Sequence, residues 1–268
     1  MWIKTKKNVF LVVMTLFLSS FSLVACGGST DAEKQEISSN QQDIDTLFKK
    51  AQNLFDQDRY EDAYKIFKQL ADQGDVKSQN ALGNGYQHGF WGETDLKQAK
   101  YWFQKAADKN YVGAIHNLGI LEFLQGNYKQ ALPYFEKAAS MKHADSINML
   151  GIYYQEGIVF KQDYKKALEY FSQAIDIDAN NASALFNIGQ AYYYGYGVEQ
   201  DYKKAFVWLT KSANQDYSLA QIQLAEMYFS GEAVPKNVKK AIEIIKPLAE
   251  LGDPKAQENL KWYVDHPN

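Results

Sequence analysis

An alanine recurs at the centre of a lysine-flanked apolar helix pattern at Ala63, Ala99, Ala131, Ala167, Ala205 and Ala241, in steps of 36, 32, 36, 38 and 36 residues. The glycine of a Leu-Gly or Ile-Gly pair keeps the same period at Gly83, Gly119, Gly151 and Gly189, and so does a further glycine at Gly89, Gly157, Gly195 and Gly231. Three markers on one period between 20 and 50 residues mean a solenoid, whose units bury their apolar faces only by stacking on neighbours. Such an array offers an extended surface, which points to binding rather than to catalysis.

The residues inside one period predict two helices. Gly195-Tyr196-Gly197-Val198-Glu199-Gln200-Asp201 shows the connection: the glycines end the first helix, Val198 tucks under the turn, and Asp201 caps the second. Asp95, Asp163 and Asn237 occupy the equivalent capping place. In the second helix Ala205, Trp208, Leu209 and Ala213 form one apolar stripe. The Gly83 series and the central alanines allow close helix crossing, with Tyr86, Trp102, Phe135, Phe171 and Trp208 expected to fill the space between layers. Pro133 and Pro247 fall inside second helices, where each removes an N–H and bends the rod.

Residues 184–213 run Ala-x-x-x-Ile-Gly, Tyr-Tyr-Tyr-Gly-Tyr-Gly-Val, Asp-Tyr-Lys-Lys-Ala and Lys-Ser-Ala, and here the sequence resembles the Sel1-like repeats, a branch of the tetratricopeptide superfamily. Residues 78–107, 146–175 and 221–249 carry the same pattern with small departures. Residues 45–74 and 113–139 lack the glycine-rich loop and resemble plain tetratricopeptide units. The resemblance implies an all-α, right-handed α/α superhelical solenoid. Its units are tetratricopeptide-like at 43–75 and 111–142, and Sel1-like at 76–110, 143–178, 179–216 and 217–253. A capping helix follows at 254–268, with Ala256, Leu260 and Tyr263 inward and Lys255, Glu258 and Lys261 in water.

Lys4, Lys6 and Lys7 precede an apolar run, residues 9–18, broken only by Thr15. Ten residues are too few for a permanent span, which needs about 20, and have the form of a secretory signal. Leu23-Val24-Ala25-Cys26 resembles a bacterial lipobox, implying a signal peptide over 1–25 and a lipid on Cys26, the one cysteine; the alternative is cleavage elsewhere with Cys26 a bystander. Gly27, in place of an aspartate, disfavours inner-membrane retention by the same resemblance, so the expected location is the cell envelope, lipid-anchored at the outer membrane and facing the periplasm. Residues 26–42 are polar and read as a flexible tether, on the order of 20 Å long as a coil.

The formal net charge is −3, and without residues 1–25, which hold three lysines and no acid, it becomes −6. That sign gives no electrostatic case for nucleic acid or anionic lipid. His88, His116, His143 and His266 lack metal-ligand spacing, so neither metal nor cofactor is expected. No Gly-x-Ser-x-Gly elbow or phosphate-binding glycine loop is present. Residues 176–181 imitate the start of a calcium loop, but Asn181 replaces its glycine and Asn187 its glutamate, so they read as a turn capping a helix near Ala182.

The expected function is therefore non-catalytic binding of a protein partner in a concave groove. Superfamily positions carried onto this chain are Asn80, Asn84, Gln87 and His88 in the second unit and His116, Ile120 and Phe123 in the third. The fourth contributes Asn148, Gln155 and Glu156, and the fifth Phe186, Gln190, Tyr193 and Tyr194. Tyr193 and Tyr194 are the expected anchors, with ordinary packing as the alternative. The resemblance suggests an immunity lipoprotein that neutralises a secreted antibacterial effector such as a phospholipase. An envelope assembly or signalling scaffold is the second reading. A β-lactam-binding or hydrolysing activity, known among cysteine-rich relatives, is a third, but the chain has no Ser-x-x-Lys and no second cysteine.

Overall fold

The computed structural model describes residues 31–267, with the backbone alone for residues 31–41. The signal segment, Cys26 and the first residues of the tether lie outside the described residues. Thirteen helices and no strand occur among those described: α1 (Asp31–Asp56), α2 (Tyr60–Asp72), α3 (Val76–His88), α4 (Leu96–Asp108), α5 (Val112–Leu124), α6 (Tyr128–Ser140), α7 (Ala144–Glu156), α8 (Tyr164–Ile177), α9 (Ala182–Tyr194), α10 (Tyr202–Ala213), α11 (Ser218–Ser230), α12 (Val238–Glu250) and α13 (Pro254–Asp265). Among them α1 packs with α2, α3 with α4, α7 with α8, α9 with α10 and α11 with α12, and α13 closes on α12, in an all-α repeat solenoid. The coil expected over 26–42 differs from Asp31 onward, where α1 begins. Ala32, Glu33, Lys34, Gln35 and Glu36 are strong helix formers and extend the packed turns that follow.

The chain divides into two compact units, one ending at Tyr134 and the other starting at Phe135, so the boundary falls inside α6. In the first unit Ala63, Phe67, Leu82, Ala99, Phe103 and Ile115 are buried. Phe55 packs edge-on against Phe90 at 5.0 Å and Trp91 at 5.7 Å, and the Trp91 indole donates to the Leu82 carbonyl at 3.1 Å. In the second unit one cluster joins Ala167, Phe171 and Ile188, the next Ala205, Leu209, Ala220, Leu224 and Met227, and the last Ile222, Ala241, Ile245, Ala256 and Tyr263.

Each helix junction follows the local sequence. Gly89, Gly157, Gly195 and Gly231 are left-handed C-caps, with φ of 70°, 66°, 75° and 81°. The side chains of Asp95, Asp163, Asp201 and Asn237 accept backbone N–H bonds from the first turn of the following helix, as the spacing predicts. A further lock repeats with them: the N–H of each cap residue donates to the carbonyl of Tyr86, Tyr154, Tyr192 or Tyr228, at 2.7–2.9 Å. The 176–181 segment is the expected turn, with Asn181 capping α9 through the Ala184 N–H. α6 and α12 run through Pro133 and Pro247 without ending.

Close crossing at the glycines is a matter of ångströms. A Cβ on Gly83 would lie 2.4 Å from the Phe103 ring, and one on Gly151 2.5 Å from Phe171. The ring that meets Gly83 is Phe103, and Trp102 is buried beside it, as expected of a ring between layers, with Lys105 over its face at 5.0 Å. On α13, Ala256 and Tyr263 are buried, Leu260 packs on the same cluster, and Lys261 is exposed. Counted from their N-caps, the eighth residues of α3, α7 and α9 are Gly83, Gly151 and Gly189; in α13 that place is Lys261.

Candidate partner-binding face

Asn84, Gln87, His88 and His116 lie in the unit ending at Tyr134; Gln155, Glu156, Phe186, Gln190, Tyr193 and Tyr194 lie in the other. In both units the first helices of successive pairs are joined by polar rungs. Asn117 donates its two Nδ2 hydrogens to Asn80 Oδ1 at 3.0 Å and Asn84 Oδ1 at 3.1 Å. Asn187 donates to Asn148 Oδ1 at 2.9 Å, Gln190 to Gln223 Oε1, and Asn259 to Glu226 Oε1 at 3.0 Å. The donor or acceptor at the sixth place from each N-cap reaches the fifth or ninth place of the helix before it. Asn80, Asn84 and Asn148 are buried in these contacts, so they hold register between repeats and offer a partner little. Gln190 is half-buried and tied into the same ladder.

The other candidates divide by exposure. Phe186 packs on Tyr217 at 5.3 Å and belongs to the core around Leu224. His88 is half-buried at the end of α3, 5.9 Å from Phe90, and His116 is half-buried on α5. Gln87 is half-buried. Gln155 donates to Glu156 Oε1 at 2.9 Å, and Glu156 is exposed.

The tyrosines form one connected ledge. Tyr164, which opens α8, stacks on Tyr196 at 4.5 Å with planes 7° apart, and Tyr196 stacks on Tyr194 at 5.2 Å and 25°. The loop after α9 reaches the start of α8 because Gly197 has no side chain: a Cβ there would lie 2.7 Å from the Tyr164 backbone. Tyr193 meets Tyr194 edge-on at 4.8 Å and Tyr202 at 5.1 Å. Its hydroxyl donates to Glu232 Oε2 at 2.7 Å, in the loop of the following repeat. Burial and the Glu232 carboxylate push the Tyr193 hydroxyl well above the usual phenol range. The two expected anchors therefore part company: Tyr193 is half-buried and engaged across repeats, while Tyr194 is 51% exposed. Sequence reasoning missed Tyr164, Tyr196 and Glu232. Only the regular spacing of the loops hinted that residues 32 and 39 apart would meet.

Among the described residues no group of three or more His, Cys, Asp and Glu is placed to hold a metal, and no helix is long and apolar enough to cross a membrane.

Residues 56–75, 76–111, 182–217 and 218–253 match the Sel1 repeat, and residues 111–180 match the tetratricopeptide repeat, so the chain carries repeats of both kinds. No catalytic family is among these matches. No curated protein matches the chain. Among solved structures it is similar to a Sel1 repeat protein from Oxalobacter formigenes, at 26% identity and a TM-score of 0.65 over 80% of this chain and 88% of that one. It is also similar to a protective antigen of uropathogenic Escherichia coli, at 32% identity and a TM-score of 0.56 over 74% of this chain and 43% of the antigen. An immunity protein from Pseudomonas aeruginosa shares the fold at 21% identity and a TM-score of 0.60, over 80% of this chain and 83% of that one.

Proposed function

We propose that this chain is a non-catalytic, protein-binding repeat lipoprotein, tethered in the bacterial envelope through Cys26. The observation that carries the binding half is the tyrosine ledge: an exposed aromatic at the end of α9, braced by stacked rings and a cross-repeat hydrogen bond, is a preorganised contact that loses little side-chain entropy on binding. The tether half rests on Leu23-Val24-Ala25-Cys26 following a basic and then apolar start. Within this class we favour an immunity protein that blocks a secreted antibacterial effector such as a phospholipase. The P. aeruginosa protein suggests the role, though its likeness extends to fold alone. Deleting the gene should sensitise cells to one secreted toxin, and wild-type protein supplied in trans should protect; unchanged sensitivity to every effector tested removes the immunity reading. Pull-down distinguishes the alternative, since an envelope scaffold recovers several housekeeping partners rather than one effector. Cys26→Ser should leave an unprocessed precursor without palmitate label, and label that survives the substitution refutes the tether.

A further inference from the structure

A carboxylate without a cation to balance it, Glu232, flanks the tyrosine ledge. Glu232 is held 2.7 Å from the Tyr193 hydroxyl, and the Tyr193 ring lies 4.8 Å from that of Tyr194. Glu226, exposed on α11, accepts one amide hydrogen bond, from Asn259 at 3.0 Å. Among the described residues no lysine, arginine or histidine nitrogen comes within 4.0 Å of either carboxylate, whereas Asp201 at the start of α10 already faces Lys204 at 3.5 Å. Both charges reach Tyr194: after burial and the Tyr196 hydroxyl, Glu226 and Glu232 are what push its own hydroxyl upward. The rings of Tyr164, Tyr196 and Tyr194 lie nearly parallel, at 7° and 25°, and the stack ends on a residue that is half exposed. A flat cation can continue such a stack and turn its N–H groups toward a carboxylate beside it, and guanidinium is the side chain with that shape. A lysine ammonium has the charge without the plane.

We propose that the ledge receives an arginine side chain of the protein partner, stacked on Tyr194 and paired with Glu232, with Glu226 adding to the negative charge it meets. This rests on the protein-binding reading above and narrows it to a basic, arginine-bearing segment. The formal charge of −6 without residues 1–25 favours approach of such a segment over an acidic one.

The test uses the full-length protein with labelled tyrosine rings and three blocked pentapeptides: Gly-Arg-Gly-Arg-Gly and its lysine and citrulline counterparts. Citrulline keeps the plane and loses the charge. The arginine peptide should shift the Tyr194 and Tyr196 signals at low salt, the lysine peptide should bind more weakly, and the citrulline peptide should leave the signals in place. Tyr194→Ala should weaken arginine-peptide binding about three- to fivefold, Tyr194→Phe should retain it, and Glu226→Gln should weaken it with the ring intact. Equal binding of the arginine and citrulline peptides, or an affinity unmoved by Tyr194→Ala in a protein that melts normally, overturns the proposal. Capture of a protein partner whose affinity ignores both Tyr194→Ala and Glu226→Gln overturns the arginine anchor while leaving the protein-binding reading standing.

Discussion

Neighbouring tyrosines on one helix have opposite uses here, because successive residues point about 100° apart. Tyr194→Ala removes a half-exposed ring and should change stability by no more than about 0.5 kcal/mol. Tyr193→Phe keeps the ring, loses the bond to Glu232, and should cost about 1 kcal/mol, read as a lower thermal midpoint. The aromatic cluster was visible in the sequence. Which ring is committed was not, because the acceptor for Tyr193 sits 39 positions away in another repeat's loop. His143 carries a pH prediction at the same scale. Its Nδ1 accepts the Ser146 N–H at 3.3 Å and caps α7, which requires the neutral ring, and burial holds its pKa below the usual 6.5. The folded state thus binds the proton less readily than the unfolded one. This contribution to stability is complete above about pH 6.5 and is lost as pH falls through the lowered value. His143→Asn should keep the cap and flatten that part of the stability–pH curve, measured by denaturant unfolding at several pH values.

Helix ends were the most legible elements, since a cap and its hydrogen-bond partner lie within three or four residues. Asp201→Ala should therefore cost about 1 kcal/mol and fray the start of α10, seen as faster exchange of the Lys204 amide. Helix crossings were legible in part. The glycine period announced close approach, and Trp102 is buried as expected, yet the ring that meets Gly83 is Phe103, one place along, which the period alone does not single out. Gly83→Ala would set a methyl 2.4 Å from the Phe103 ring, and the pair α3/α4 should lose about 1–3 kcal/mol in denaturant titration. The polar rungs were missed for a different reason. Asparagine and glutamine on a first helix read equally well as surface contacts, and only their partners in the next repeat show that Asn84 and Asn148 are spent on register.

On the scale of the whole molecule, neighbours hold each repeat and no single core holds all of them. Removing residues 254–268 uncovers Ile222, Ala241 and Ile245, so hydrogen exchange should quicken through α11 and α12 while α7 and α8 keep their protection. The period made this arrangement legible from the sequence, whereas the division inside α6 left no local mark. A repeat array resembles a crystal that grows in one direction, each new layer seating on the last as long as the lattice site is offered. At the place where Gly83, Gly151 and Gly189 admit the helix that follows, α13 presents the long, exposed side chain of Lys261, so a helix seated there as in the repeats would have to push a charged chain aside.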